Sequence, residues 1–440
     1  MRRKAILVVC VLCAICLFQS GQPVFNEYPG NPVFAPQRAY YPTVIYDKDH
    51  FCDVYAVVPY YKMWYSSASG IALAYSADGI TWYEYGAVSG LIQTAHHAHV
   101  IYDKNGFGGS IYYKMWFWDT SHLYSLNALK YAESSDGITW TWSLLTQDAG
   151  EPLVTGTHPD WNRGTYGPID VFYNSSGSPI LDDDNVWNNT YVMYYDGTTG
   201  GVEQVGLGYS ADGLHWKRYK DQPVLPNTPG GWDSNYTGFG TVVALNGYHF
   251  FYSGGKNSMH EGIGYAFSHD GITWEKKGII FHVADNVPWR KERCYTPSVL
   301  GTLTQTSLCF DMWFSGDDGS NRTIGYAQGC IPVPGQAPVL QNTEREIQNQ
   351  MMSLARFNHE RCCEKSKQEV TDLLNSFDFD MDPPEYRKAL DLIDQAEYYC
   401  AKAAELTASG NTIAGNYCAL ESCKLYFEAL DILKNLANIR

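Results

Sequence analysis

Residues 60–82 read YYKMWYSSASGIALAYSADGITW, and the same grammar returns along the chain. YYKMWFW at 112–118 is followed, after an insertion, by LKYAESSDGITW ending at Trp140. YVMYYDG begins at Tyr191 with VGLGYSADGLHW ending at Trp216, and YHFFYSGG begins at Tyr248 with IGYAFSHDGITW ending at Trp274. A fifth copy, FDMWFSGDDGSNRTIGYAQGC from Phe310, stops before any Asp-Gly-Ile-Thr-Trp. Each copy holds strand-like alternation, a loop, a second strand and an Asp-Gly pair, the strongest short-range hairpin signal. The pairs begin at Asp78, Asp136, Asp212 and Asp270, so the spacings are 58, 76 and 58 residues, and a Trp four residues after each Asp starts an outer strand. That spacing fits four-stranded propeller blades with variable loops, and the reading is an all-β five-bladed β-propeller over residues 28–330. The outer strand missing from the fifth copy is expected from the other end of the chain, at residues 28–36, where NPVF at Asn31 matches EPLV at Glu151 and QPVL at Gln222. Such closure removes sheet edges.

The rest of the chain is of another kind. All 13 Trp lie between Trp64 and Trp313, and after Gly335 the glycines are Gly410 and Gly415. Residues 331–342, with Pro332, Pro334 and Pro338, read as a linker, and residues 343–440 as a three-helix bundle. Ile347, Met351, Leu354 and Phe357 form one apolar stripe, Leu390, Ile393 and Ala396 a second, and Leu425, Leu430 and Leu433 a third. Pro383 and Pro384 start the second helix, and the turn at Ser409–Asn411 separates it from the third. The acidic stretch FDFDMD lacks the central Gly and terminal Glu of a calcium loop. The bundle carries no catalytic constellation and is expected to dock a protein partner or to oligomerise.

Arg2, Arg3 and Lys4 precede an apolar run from Ala5 to Phe18, a basic region and apolar core of signal-peptide length, so residues 1–20 are read as a leader and the mature protein as secreted, extracellular or periplasmic. An uncleaved anchor is the alternative. The mature chain offers no membrane span. Removing Cys10, Cys13 and Cys16 from the 12 cysteines leaves nine, an odd number, so at least one is unpaired; five of them in the tail suit staples between helices. The sequons at Asn174, Asn188, Asn235 and Asn321 matter where the source glycosylates. With 31 basic against 47 acidic residues, a formal net charge of −16, the chain lacks the basic footprint of a nucleic-acid binder.

Strand direction sorts the candidate chemistry. The Asp-Gly hairpins lie on one face, which makes their Asp residues turn formers. The starts of the inner strands, YYPTVIYD from Tyr40, HHAHVIYD from His96, YGPIDVFY from Tyr166, YTGFGTVV from Tyr236 and YTPSVL from Tyr295, lie on the other. They place His96, His97, His99, Asp170, Thr241 and Ser298 near a central channel, with Arg290, Glu292 and Arg293 just before the last strand. Loops between second and third strands add Asp119, His122, Asp196, Glu203, His260, Glu261 and Asp317. Carboxylates that grip hydroxyls, and rings such as Trp118 and Tyr195 that stack on sugar faces, make a carbohydrate site.

The grammar Tyr-x-Met-Trp-Tyr-Ser, Ile-Gly-Tyr-Ala, Ser-x-Asp-Gly-Ile-Thr-Trp and Pro-Val-Leu resembles the five-bladed propellers of the furanosidase-type glycoside hydrolases, families 32, 43, 62 and their relatives, over about 300 of 440 residues. The resemblance implies a blade-one Asp as base or nucleophile, a second Asp that tunes the site and a Glu from a later blade as acid. Tyr41 stands where the family places its first Asp, blade two offers His99, blade three Asp170, and YTGFGTVV contains no Glu. Three readings stay open. A glycosidase with a rearranged site uses Asp170 with Asp119, Asp196 or Glu261 as acid and base, and binds its sugar through His97, His99, Trp118, Tyr195, Tyr41 and Arg293. A glycan-binding propeller has lost catalysis. An anion- or metal-assisted, phosphorylase-like relative uses His96, His97, His99, Arg290 and Arg293. No cofactor and no dedicated metal site is implied.

Overall fold

The computed structural model describes residues 21–48, 51, 60–125, 127–157, 160–174, 190–258, 260–304, 306–332, 363–364, 366–375, 384–408 and 412–438. The leader, the linker from residue 333, the stripe from Ile347 to Phe357 and the FDFDMD stretch lie outside the described residues.

The repeat becomes sheet. The first sheet runs Tyr40–Tyr46, Tyr61–Ser67, Gly70–Ser76 and Trp82–Ala87, and the second Ala95–Tyr102, Tyr113–Asp119, Leu129–Ser134 and Thr141–Leu144. The third is built from Gly164–Asn174, Thr190–Thr199, Val202–Ser210 and His215–Arg218, and the fourth from Tyr236–Ala244, Tyr248–Gly255, Gly262–Ser268 and Glu275–His282. These two join through a short parallel pairing of Glu203 with Tyr236, and a two-residue strand, Thr146–Gln147, added beside His215–Arg218 makes nine strands. The last sheet holds Arg293–Leu303, Ser307–Asp317 and Arg322–Pro332, with Val24–Glu27 as its outer strand. The first strands of the five units neighbour one another in a cycle, the last beside the first.

The N-terminal pairing corrects the expected register. Val24–Glu27, and not residues 28–36, pairs antiparallel with Ala327–Cys330; the following segment returns at Phe34, which bridges Ile324. Pro29, Pro32 and Pro36 lack the N–H a continuous ladder needs, so the stretch with the matching motif cannot itself be the strand.

The hairpins show why Ser-x-Asp-Gly recurs. Asp78 Oδ1 accepts the N–H of Ile80 and Thr81 at 2.8 and 2.7 Å, while Ser76 Oγ donates to Asp78 Oδ1 and accepts the N–H of Gly79. Asp136, Asp212 and Asp270 repeat the arrangement. The glycines sit at φ between +72° and +81°, where a side chain is strained. Their carbonyls are used twice. Gly79, Gly137 and Gly213 each accept from the indole of their own sheet's Trp, and again from Trp313, Trp64 and Trp116 of the neighbouring sheet. Tyr194 does the same to Gly271. Trp64, Trp116 and Trp313 are buried between sheets, which accounts for the aromatic surplus.

After the sheets come helices α1 (Ser366–Asn375), α2 (Pro384–Ala408) and α3 (Thr412–Asn438). Proline opens α2 because its missing N–H has no helical partner there. Val370, Ala389, Ile393, Ala396, Tyr426, Leu430 and Leu433 form the helical core. Disulfides join Cys363 to Cys400 and, across adjacent strands of the last sheet, Cys309 to Cys330; Cys294 and Cys418 are free thiols among the described residues. Helix α3 meets the first sheet where Phe427 packs on Ala77 and Tyr83, and Tyr83 Oη donates to the Lys424 carbonyl. No described helix is long and apolar enough to cross a membrane.

Candidate functional site

One register position decides the site. Opposite the start of the five first strands, the second strands carry Ser66, Trp118, Asp196, Ser253 and Ser315. The next residue of the first strand is left-handed in four sheets: Tyr41 (φ 55°), His97 (φ 49°), Phe239 (φ 31°) and Thr296 (φ 47°). Such backbone costs on the order of 1–3 kcal/mol per residue and persists only when its surroundings hold it. Serines of the preceding sheet do the holding. Ser315 takes the N–H of Tyr41 at 2.9 Å, Ser66 that of His97 at 3.1 Å and Ser253 that of Thr296 at 2.6 Å. The sheet after Trp118, which has no acceptor, carries Pro168 at this place, and proline has no N–H to satisfy.

Asp196 breaks the series. It replaces the serine, is fully buried, and neither carboxylate oxygen has a hydrogen-bond partner. Its neighbour is Glu203, equally buried, with Oε1 also unpartnered. Gly238 makes the room, since a Cβ there would stand 2.1 Å from Asp196 Oδ2 and 3.5 Å from Glu203 Oε2. Burial pushes both carboxyls well above the usual carboxylate range, and the negative charge of Glu203 pushes Asp196 further. Two carboxylates cannot donate to one another, so the pair is held together when it carries a proton. Burial and mutual repulsion both favour a proton shared by the pair.

The left-handed residues close the channel with rings. The centroids of Tyr41 and His97 lie 3.4 Å apart, and Phe239 is 5.0 Å from Tyr41 and 5.1 Å from His97. Tyr41 Oη meets His260 Nε2 at 3.2 Å. His97 Nδ1–H donates to the Tyr166 carbonyl at 2.7 Å, and burial keeps the ring neutral by holding its pKa well below the usual value. Against this plug lies a cavity of about 360 Å³ lined by the first strands, with His99 and Asp170 on its wall.

Asp170, the residue that best matches the resembled family, occupies a tying position. Its Oδ2 accepts the Val242 N–H of the next sheet at 2.6 Å, as Ser298 Oγ accepts that of Val44 at 2.9 Å. Its other oxygen is 3.2 Å from His99 Nε2. Burial raises the Asp170 carboxyl to about 7 and lowers the His99 imidazole to about 4, so at neutral pH the ring is neutral and the contact is not an ion pair.

The remaining candidates separate. Asp119 is buried but saturated: Thr94, Ser121 and His122 bond to it and Lys130 Nζ lies 3.3 Å away. Burial works against its charge, yet bonds from Ser121 and Thr94 outweigh that and hold it ionised. Glu261 accepts the N–H of Lys256 and Asn257, which closes a loop. Tyr195 is fully buried, with its ring stacked on Trp161, so it offers no open face to a sugar. Trp118 lies beside His97 and Tyr166, and its indole N–H is buried without a partner. Arg293 stands 3.7 Å from Asp317. Arg290 is spent on Glu27, Asp285 and the His282 carbonyl, so it leaves the anion-binding set. His96, His97 and His99 each take a different partner, Tyr40, Tyr166 and Asp170, and among the described residues no three His, Cys, Asp or Glu side chains converge on a metal position. Sequence reasoning placed Glu203 on this face without pairing it with Asp196, and it gave no role to Tyr295, whose buried hydroxyl has no partner. The broken serine series was visible in YSS, YSG and FSG against YDG.

No protein-family model matches the chain, and no curated protein does. Solved structures resemble it at low identity. One is a member of the GH130 family of mannoside phosphorylases, said to contain hydrolases that target β-1,2-mannosidic linkages in Candida mannan, at 15% identity and TM-score 0.47 over 70% of this chain and 94% of that one. A putative glycoside hydrolase from Bacteroides ovatus gives 15% and 0.47 over 69% and 95%, and a β-1,2-mannobiose phosphorylase from Listeria innocua gives 11% and 0.45 over 69% and 96%.

Proposed function

We propose that this is an exported glycan-active protein, a five-bladed propeller of furanosidase-like grammar that cleaves glycosidic bonds by carboxyl acid catalysis. The observation that carries this reading is the Asp196–Glu203 pair, two buried carboxyls side by side with three oxygens lacking a partner, Asp196 standing where three other sheets carry serine. Natural proteins rarely bury unpaired carboxyls unless the position is used. In the reaction, the shared proton passes to the glycosidic oxygen as its bond to the anomeric carbon breaks. Water adds to that carbon, and its proton restores the pair or leaves with solvent. A positioned proton donor contributes about 10²–10⁴-fold. The orphan indole N–H of Trp118, at the same register position in the preceding sheet, is a donor for a sugar hydroxyl. The test is release of reducing ends from a panel of oligosaccharides and aryl glycosides. Glu203→Gln and Asp196→Asn are expected to lose at least about 100-fold with the fold intact; undiminished release in both refutes the assignment.

A second reading, glycan binding without turnover, is favoured by one observation: Asp196 and Glu203 are 0% and 1% exposed, so a ligand reaches them only when the surrounding rings move. Array binding with no release from any substrate supports it.

A further inference from the structure

We propose that Arg38, Arg293 and Arg322 form an oxyanion site beside the carboxyl pair's face, filled by the carboxylate or sulfate of an acidic saccharide. The proposal rests on the glycan reading above and adds a substrate class to it. The chain path brings the three together: the Ala39 N–H bonds to the Arg322 carbonyl at 2.9 Å, and both Arg293 and Arg322 sit in register with Asp317 on adjacent strands. Asp317 is the carboxylate at ion-pair distance, 3.2 Å from Arg322 Nε and 3.7 Å from Arg293 Nε. Arg38 and Arg322 lie over the Tyr40 ring, 5.2 and 4.9 Å from its centroid.

Arg293 and Arg322 thus share one carboxylate, and Arg38 joins Arg322 over the Tyr40 ring without a carboxylate among these contacts. Exposed Lys291 and Glu292 flank them with opposite signs, and Asp318 accepts the N–H of Ser320 and Asn321. A second, independent observation points to a ligand. Tyr295 Oη is buried without a partner, in the field of Arg322 and Arg293, whose charges partly offset the effect of burial on its phenol. A buried hydroxyl is costly to leave unbonded, and an oxyanion held by the arginines supplies its acceptor. Flat guanidinium forks match carboxylate and sulfate geometry, and a chain with net charge −16 has no general attraction for anions, so a local surplus of cations is selective.

The test is calorimetric titration of the full chain with uronic-acid and sulfated oligosaccharides, their carboxyl-reduced or desulfated counterparts, and inorganic phosphate. The wild type is expected to bind an acidic oligosaccharide at least tenfold more tightly than its neutral counterpart, with affinity falling as salt rises. Arg38→Ala/Arg293→Ala is expected to erase that preference with an unchanged melting temperature, and Arg38→Lys/Arg293→Lys to restore it in part. Equal affinity for acidic and neutral forms overturns this proposal and leaves the glycan reading standing. Binding of phosphate with no saccharide bound overturns both.

Discussion

Asp196 holds a place that Ser66, Ser253 and Ser315 fill in three other sheets, and there the serine hydroxyl steadies a left-handed neighbour. Exchanging that hydroxyl for a buried, unpartnered carboxyl sacrifices stability, and active sites are where such sacrifice is retained. Asp170 is the contrast, a buried carboxyl that ties two strands. Its pKa, about 7 in the fold against an ordinary 3.8, sets the sign of its effect: ionisation is penalised in the native state alone, so stability is lost as pH rises from about 4 through 7. Asp170→Asn, which keeps an acceptor for Val242, is therefore expected to gain about 3 kcal/mol relative to wild type between pH 5 and pH 8. Urea titrations at the two pH values measure it, and a gain that does not depend on pH contradicts it. For the pair, the same sign puts the loss of turnover on the alkaline side, and Glu203→Gln should remove that limb of the pH profile. Sequence reading reached both Asp196 and Asp170 and put Asp170 first, with Asp196 as one of three alternative partners. Adjacent strand residues face opposite ways, so Tyr195, beside Asp196, faces Trp161 instead of the sugar.

The hairpins and the strands between them were legible because their chemistry is local: Asp caps two N–H groups, Gly takes positive φ, and both lie within four residues. The second use of the glycine carbonyl, by a Trp 73 to 234 residues away in sequence, was not legible, since it depends on how sheets stack. It carries a modest energy. Trp116→Phe leaves the Gly213 carbonyl with its bond from Trp216 and is expected to cost about 1 kcal/mol. Trp116→Ala removes a fully buried ring and is expected to cost about 3–5 kcal/mol. Denaturant midpoints separate the two, and equal costs would mean the indole N–H, not the ring, holds the sheets. The Phe251 position, which has no such donor, packs on the last sheet, which lacks the Asp-Gly hairpin between its third and outer strands.

At the scale of the molecule, a cycle of first strands and a last sheet completed by Val24–Glu27 make the β region one cooperative unit. Phe25 packs on Phe251, Phe281 and Phe310, and Glu27 pairs with the buried Arg290. Deleting residues 21–27 is expected to lower the melting temperature of the whole β region in a single transition; an unchanged transition refutes closure. That the N-terminus closes the last sheet was legible in the unfinished fifth repeat. The register was not, because a motif match in a proline-rich stretch says nothing about which backbone N–H groups are free to pair.

The central claim is that Asp196 was placed for chemistry at the expense of the fold, and Asp196→Ser, which restores the residue of the other sheets, tests it most directly. Melting temperature at pH 8 and oligosaccharide cleavage are read on the same protein. The variant is expected to melt higher than the wild type and to lose cleavage by at least about 100-fold. A variant that melts lower and cleaves as before would show that Asp196 is structural, and the account of the site would fall with it.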